Sequence, residues 1–244
     1  VQKPIVINVC NFAKGAPALR SWDDARTLFH EFGHALHQML SDVTYESISG
    51  TSVARDFVEL PSQLYEHWLE VPEVLSTYAT HAETGAPMPE ELLNKVLAAS
   101  QFDMGFQTVE YVASAMVDLA FHTGPAPADP MQRQAEVLAE LGMPRAIGMR
   151  HATPHFAHVF AGDGYSSGYY SYMWSEVMDA DAFAAFEEAG DAFDPGPRAG
   201  RKHTVAWRVR RGRCALYPLP WTDAGGGCTF AGAGSGGLKS IPDP

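Results

Sequence analysis

The chain has 244 residues, enough for one large domain or two small ones, and 46% of them are hydrophobic, so a sizeable core can be buried. A net charge of −12 argues against nucleic acid as a partner, because phosphates would be repelled. No run of about 18 apolar residues is present to insert in a membrane.

The opening, Val1-Gln2-Lys3-Pro4, has neither a starting Met nor a signal-peptide pattern, and reads as the interior of a longer protein that could carry an upstream targeting segment. Cys10, Cys214 and Cys228 form no disulfide framework and point to a reducing, cytoplasmic compartment. Residues 4–11 alternate around Ile5, Ile7 and Val9, which predicts a strand. Ser21 followed by Asp23 and Asp24 predicts a capped helix over 22–40. The stretch 43–51 reads as extended, with Gly50 as a break, and a second helix is expected over 52–69, perturbed by Pro61. Further helices are expected over 87–101, 105–121, 130–141 and 168–189, with 142–168 mostly loop. The fold class is therefore mainly α with a small β element.

Composition changes near Pro195. Residues 1–195 carry 9 Lys and Arg against 27 Asp and Glu, whereas residues 196–244 carry 8 against 2 and hold 10 of the 22 glycines. The first part reads as the domain. The second reads as a disordered basic tail, or as the product of a shifted reading frame.

The chemistry is concentrated in Phe29-His30-Glu31-Phe32-Gly33-His34-Ala35-Leu36-His37. Histidines four apart share one helix face and can hold one metal ion, and Glu31 lies close enough to act on a water there. Such a pattern arises by chance in roughly one chain in a hundred of this length. Phe29, Phe32, Ala35 and Leu36 supply an apolar stripe that would bury the helix beside its metal face. Gly33 costs a helix about 1 kcal/mol relative to Ala, so its presence suggests a close backbone approach.

An open zinc site needs a third protein ligand. The metzincin pattern would require Gly at 37 and His at 40, where this chain has His37 and Leu40. A glutamate on a following helix remains, from Glu46, Glu59, Glu66 and Glu70. Helical geometry favours Glu59, because Asp56, Gln63 and Glu66 fall at −3, +4 and +7 from it and would make a polar stripe able to orient the histidines.

This block, with Gly50-Thr51 and Asp56-Phe57-Val58-Glu59-Leu60-Pro61-Ser62-Gln63, resembles the M3 zinc metallopeptidases, the group of thimet oligopeptidase and the peptidyl-dipeptidases. A second block agrees: His155-Phe156-Ala157-His158-Val159-Phe160, then Gly164-Tyr165-Ser166-Ser167-Gly168-Tyr169-Tyr170-Ser171-Tyr172-Met173-Trp174-Ser175-Glu176. The resemblance covers residues 1 to about 195 and implies a helical, zincin-like catalytic domain, a fragment of a larger channel-shaped peptidase. It implies one zinc ion per chain on His30, His34 and Glu59, with Glu31 as general base. His158, Tyr165, Tyr169 and Tyr172 would line the substrate cleft beside Gly164; hydroxyls on a glycine-flexible loop suit an oxyanion, so Tyr165 and Tyr172 are the expected donors, with His158 assisting. Short peptides are the implied substrates. Two expectations follow: a zinc oligopeptidase or peptidyl-dipeptidase, or a truncated, inactive fragment that at most binds zinc.

Overall fold

The Ser21 hydroxyl accepts the Asp24 amide at 3.0 Å, and the Asp24 carboxylate accepts the Ser21 amide at 3.1 Å. This reciprocal cap, worth about 1 kcal/mol, starts helix α1, Trp22–Met39. The computed structural model describes residues 5–15 and 19–193. The expected basic tail over 196–244 lies outside the described residues. The described residues belong to one unit.

After α1 come α2, Arg55–Val58, and α3, Leu60–Glu66. The single helix expected over 52–69 is in fact broken at Glu59. Pro61 has no N–H to bond the Phe57 carbonyl, so the α2 ladder cannot run on. The new helix starts from the Glu59 carbonyl, which accepts the Gln63 amide at 2.9 Å and the Ser62 hydroxyl at 2.8 Å. A 3₁₀ turn, His67–Glu70, leads into α4, Pro72–Tyr78, a helix the pattern did not predict.

Four of the remaining elements match their predicted places closely: α5, Glu90–Ser100; α6, Met104–His122; α7, Pro130–Glu140; and α9, Ser171–Ala189. Within the expected loop, a 3₁₀ turn at Thr153–His155 and a short helix α8, Ala157–Phe160, fold locally.

The expected strand over 4–11 is not formed among the described residues. Ile5, Ile7 and Val9 are 90%, 77% and 76% exposed, and a lone extended segment without a partner strand has nothing to pair with. Among the described residues the β pairing is a single bridge, Thr80 to Pro87.

Three helices position the site. α1 packs along α3, and α3 along α9. α1 and α3 approach closely at Gly33, where a Cβ would lie 2.5 Å from the Ser62 Cα and 2.6 Å from the Pro61 carbonyl oxygen. On the other side, Phe156, Val159 and Tyr169 form a buried cluster with Tyr111, Met149, Tyr165 and Tyr172 packed around it. The loop between α8 and α9 is thereby seated on α6.

Candidate metal centre

Arg26, His30 and His34 recur every four residues on one face of α1, and two glutamates of the following helices bridge them in turn. Glu66 accepts Arg26 Nε at 2.5 Å through Oε2 and meets His30 Nδ1 at 2.7 Å through Oε1. Glu59 Oε2 lies 3.3 Å from His30 Nε2 and 3.1 Å from His34 Nε2. Glu59 is 3% exposed and sits at the break between α2 and α3. That break frees its carboxylate from either helix face and points it at α1. The Ser62 hydroxyl also reaches Glu59 Oε2, at 3.2 Å. The Tyr165 hydroxyl, from 106 residues further along the chain, donates to Glu59 Oε1.

Among the described residues, His30, His34 and Glu59 are the one group of histidine, cysteine, aspartate or glutamate side chains whose ligand atoms lie close enough to share a metal, within 4.8 Å of one another. Two imidazole nitrogens of partly exposed histidines and a buried carboxylate oxygen therefore face a common point. A divalent cation reconciles three converging lone pairs, and two histidines with one glutamate suit the tetrahedral preference of zinc. Glu66 on His30 Nδ1 leaves Nε2 for the metal, the usual way a ligand histidine is oriented. His34 Nδ1 is buried with no hydrogen-bond partner, so its orientation comes from packing instead.

The protonation states follow the same contacts. Burial alone would lower the His30 imidazole, but hydrogen bonds to Glu59 and Glu66 outweigh it and raise it to about 9. Burial would raise the Glu59 carboxyl, but hydrogen bonds from His30, His34 and Tyr165 hold it well below the usual carboxylate range. Glu66 is likewise held down, against burial, by His30 and Arg26. Burial next to His34 lowers the His37 imidazole to about 4, so it stays neutral in the core.

The tyrosines form the other wall. Tyr165 and Tyr172 rings stack at 5.5 Å, and exposed His158 meets them edge-on at 5.8 and 6.2 Å. Burial raises the Tyr172 phenol far above its ordinary value, helped by the neighbouring Tyr165 hydroxyl and the Glu59 charge. Burial and the bond to Glu59 raise Tyr165 too, so both stay protonated as donors. The Arg55 guanidinium lies 4.7 Å over the Tyr165 ring. Beside the pair is a cavity of about 410 Å³ lined by Gln63, Arg150, His158, Tyr169, Tyr172 and Glu176 among others.

The structure thus brings together His30, His34, Glu59, Glu66, Tyr165, Tyr172 and His158. Glu31 is half-buried on α1, and its carboxylate makes no hydrogen bond or ion pair among the described residues. Gln63 donates to the Tyr172 carbonyl at 3.1 Å, tying α3 to α9. Tyr169, 5% exposed, packs mainly in the core, and exposed Gly164 lies beside Arg55. Asp56 is not brought to the histidines. It accepts the Tyr170 hydroxyl at 3.2 Å, because the break at Glu59 takes it off the Glu59–Glu66 face. Arg26 and Arg55 were not singled out from sequence. Only Arg26 carried a signal, its place four residues before His30.

A family model described as Peptidase family M3 matches residues 1–204. Dipeptidyl carboxypeptidase of Escherichia coli strain K12 is 42% identical over 195 residues, 77% of this chain and 28% of that protein. Oligopeptidase A of the same organism is 43% identical over 198 residues, 78% of this chain and 29% of its own length. A mitochondrial intermediate peptidase of Mycosarcoma maydis is 38% identical over 191 residues, 72% of this chain and 21% of its own. The chain spans less than a third of the length of each of these relatives.

Proposed function

The chain belongs to peptidase family M3, and on that premise we propose that it hydrolyses peptide bonds of short oligopeptides, using one zinc ion held by His30, His34 and Glu59. The observation that carries this reading is the convergence of His30 Nε2, His34 Nε2 and Glu59 Oε2. Zinc in such a site supplies Lewis acidity and brings the pKa of water toward neutrality.

The chain's own residues do the rest. Glu31, beside the first ligand and uncommitted to other bonds, takes the proton of the attacking water and returns it to the leaving amine. Tyr172, kept protonated by burial, donates to the oxyanion that develops on the scissile carbonyl, with His158 beside it. Tyr165 is held on Glu59 here and orients that carboxylate. It joins Tyr172 as an oxyanion donor by releasing Glu59. The cavity next to the tyrosines takes part of the peptide chain. A reducing, cytoplasmic setting accords with the sparse cysteines, and no described helix is long and apolar enough to cross a membrane.

A second reading has its own observation. Phe106, Val109, Met116 and Leu119 leave an apolar face of α6 between 41% and 52% exposed, as expected of a domain that lacks its surroundings. Such a fragment would bind zinc without turning over peptide. Metal analysis together with cleavage of a quenched fluorescent peptide, with and without chelator, separates the two. Chelator-sensitive cleavage supports the peptidase, and one zinc per chain without cleavage supports the inert fragment.

A further inference from the structure

Asp118, on α6, is 1% exposed and takes no part in the chemistry above. Its Oδ1 accepts the Ser167 amide at 2.9 Å and its Oδ2 accepts the Tyr169 amide at 3.0 Å. Tyr111 stands seven residues earlier, two turns back on the same helix face. Its hydroxyl donates to the Tyr169 carbonyl, and its ring stacks on the Tyr169 ring at 5.1 Å. Residue 169 is therefore gripped from one helix at both its N–H and its C=O. His122, one turn on, places its Nδ1 2.8 Å from the Asp118 carbonyl oxygen, with which it hydrogen-bonds, and 2.8 Å from Asp118 Oδ1.

The gripped segment carries the reactive tyrosines. Tyr165 lies four residues before Tyr169 and Tyr172 three after it, and the turn is closed by the Gly168 amide on the Tyr165 carbonyl at 2.8 Å. Ser167 holds a φ of +56°, a conformation that residues other than glycine rarely adopt, and its N–H is one of the two that Asp118 binds. Without Asp118 the segment loses both of its amide hydrogen bonds to α6 and keeps the Tyr111 contact. Tyr165 then loses its reach to Glu59, and Tyr172 its place beside the cavity.

We propose that Asp118 is a positioning residue of the site, holding the 165–172 segment from α6 so that Tyr165 and Tyr172 stand over the metal ligands. The inference rests on the peptidase reading above. Asn is the informative replacement because it keeps the shape. Its amide nitrogen must face one of the two loop N–H groups, so one acceptor becomes a donor.

The experiment compares the parent chain with Asp118→Asn in zinc content, thermal unfolding and steady-state cleavage of a quenched fluorescent peptide. The expected result is one zinc per chain, a retained unfolding transition, kcat lowered about tenfold or more, and KM within about twofold. A kcat within about twofold of the parent overturns the proposal. If Asp118→Asn does not fold, Tyr111→Phe replaces it under the same criteria, since it removes the other half of the grip without stranding a carboxylate. If the parent itself does not cleave, the peptidase reading falls separately, and hydrogen exchange decides. Loss of protection at the Ser167 and Tyr169 amides in Asp118→Asn, with α1 and α3 unchanged, supports the grip, and unchanged protection overturns it.

Discussion

Gly33 and Ser62 meet backbone to backbone, since a methyl group on Gly33 would stand 2.5 Å from the Ser62 Cα. The obstacle is main chain, which cannot rotate aside. Gly33→Ala should therefore push α1 from α3 and separate the histidines from Glu59. The expected loss is about 2 kcal/mol or more of stability, read by denaturant unfolding, together with weaker zinc binding. A variant as stable as the parent would mean that α3 yields at Pro61.

Glu31→Gln removes a proton acceptor but no ligand. Zinc should remain at one per chain while peptide cleavage falls about 100-fold or more. Undiminished turnover with zinc bound would take Glu31 out of the reaction.

Tyr165→Phe leaves Glu59 Oε1 without its donor and removes one oxyanion contact. The catalytic rate should fall more than substrate affinity changes, as steady-state kinetics would register. An unchanged kcat would restrict Tyr165 to packing against Tyr172.

Glu66 touches no proposed metal position, yet it orients His30 through Nδ1. Glu66→Ala should weaken zinc binding about tenfold in chelator competition, with the three ligands intact. Equal affinity would show that packing alone sets the His30 ring.

The metal-free protein should respond to pH through His30, whose folded value of about 9 lies above the ordinary 6.5. A raised value means that its contribution to stability is complete below pH 6.5 and is lost as pH rises toward 9. Zinc needs the neutral imidazole, so its affinity should rise over the same interval. Thermal unfolding in chelator and zinc titrations between pH 6 and 9.5 should thus move in opposite directions.

How much was readable beforehand depended on the distance over which each feature is determined. The cap at Ser21, the length of α1 and the metal face of His30 and His34 are local, and periodicity exposes them. The close approach at Gly33 was also legible, because glycine inside a good helix asks for a reason. Asp56 shares a face with Glu59 only on a continuous helix, which Pro61 does not permit, so helical spacing points correctly to Glu66 and wrongly to Asp56. The strand around Ile7 had the right alternation but no partner, and a strand is a property of two segments. Asp118 left no trace, since the amides it binds are 49 and 51 residues away.

The two halves of the centre close chain loops of very different size. His30 and Glu66 are 36 residues apart, while Tyr165 reaches Glu59 across 106. On loop-closure entropy the longer connection costs about 1 kcal/mol more. The ligand cradle on α1 and α3 is thus expected to be the last part of the centre to open, and the tyrosine wall the first to leave it. On the peptidase reading, metal content would then measure the assembly of the cradle and not that of the tyrosine wall, so loading and cleavage would have to be read separately.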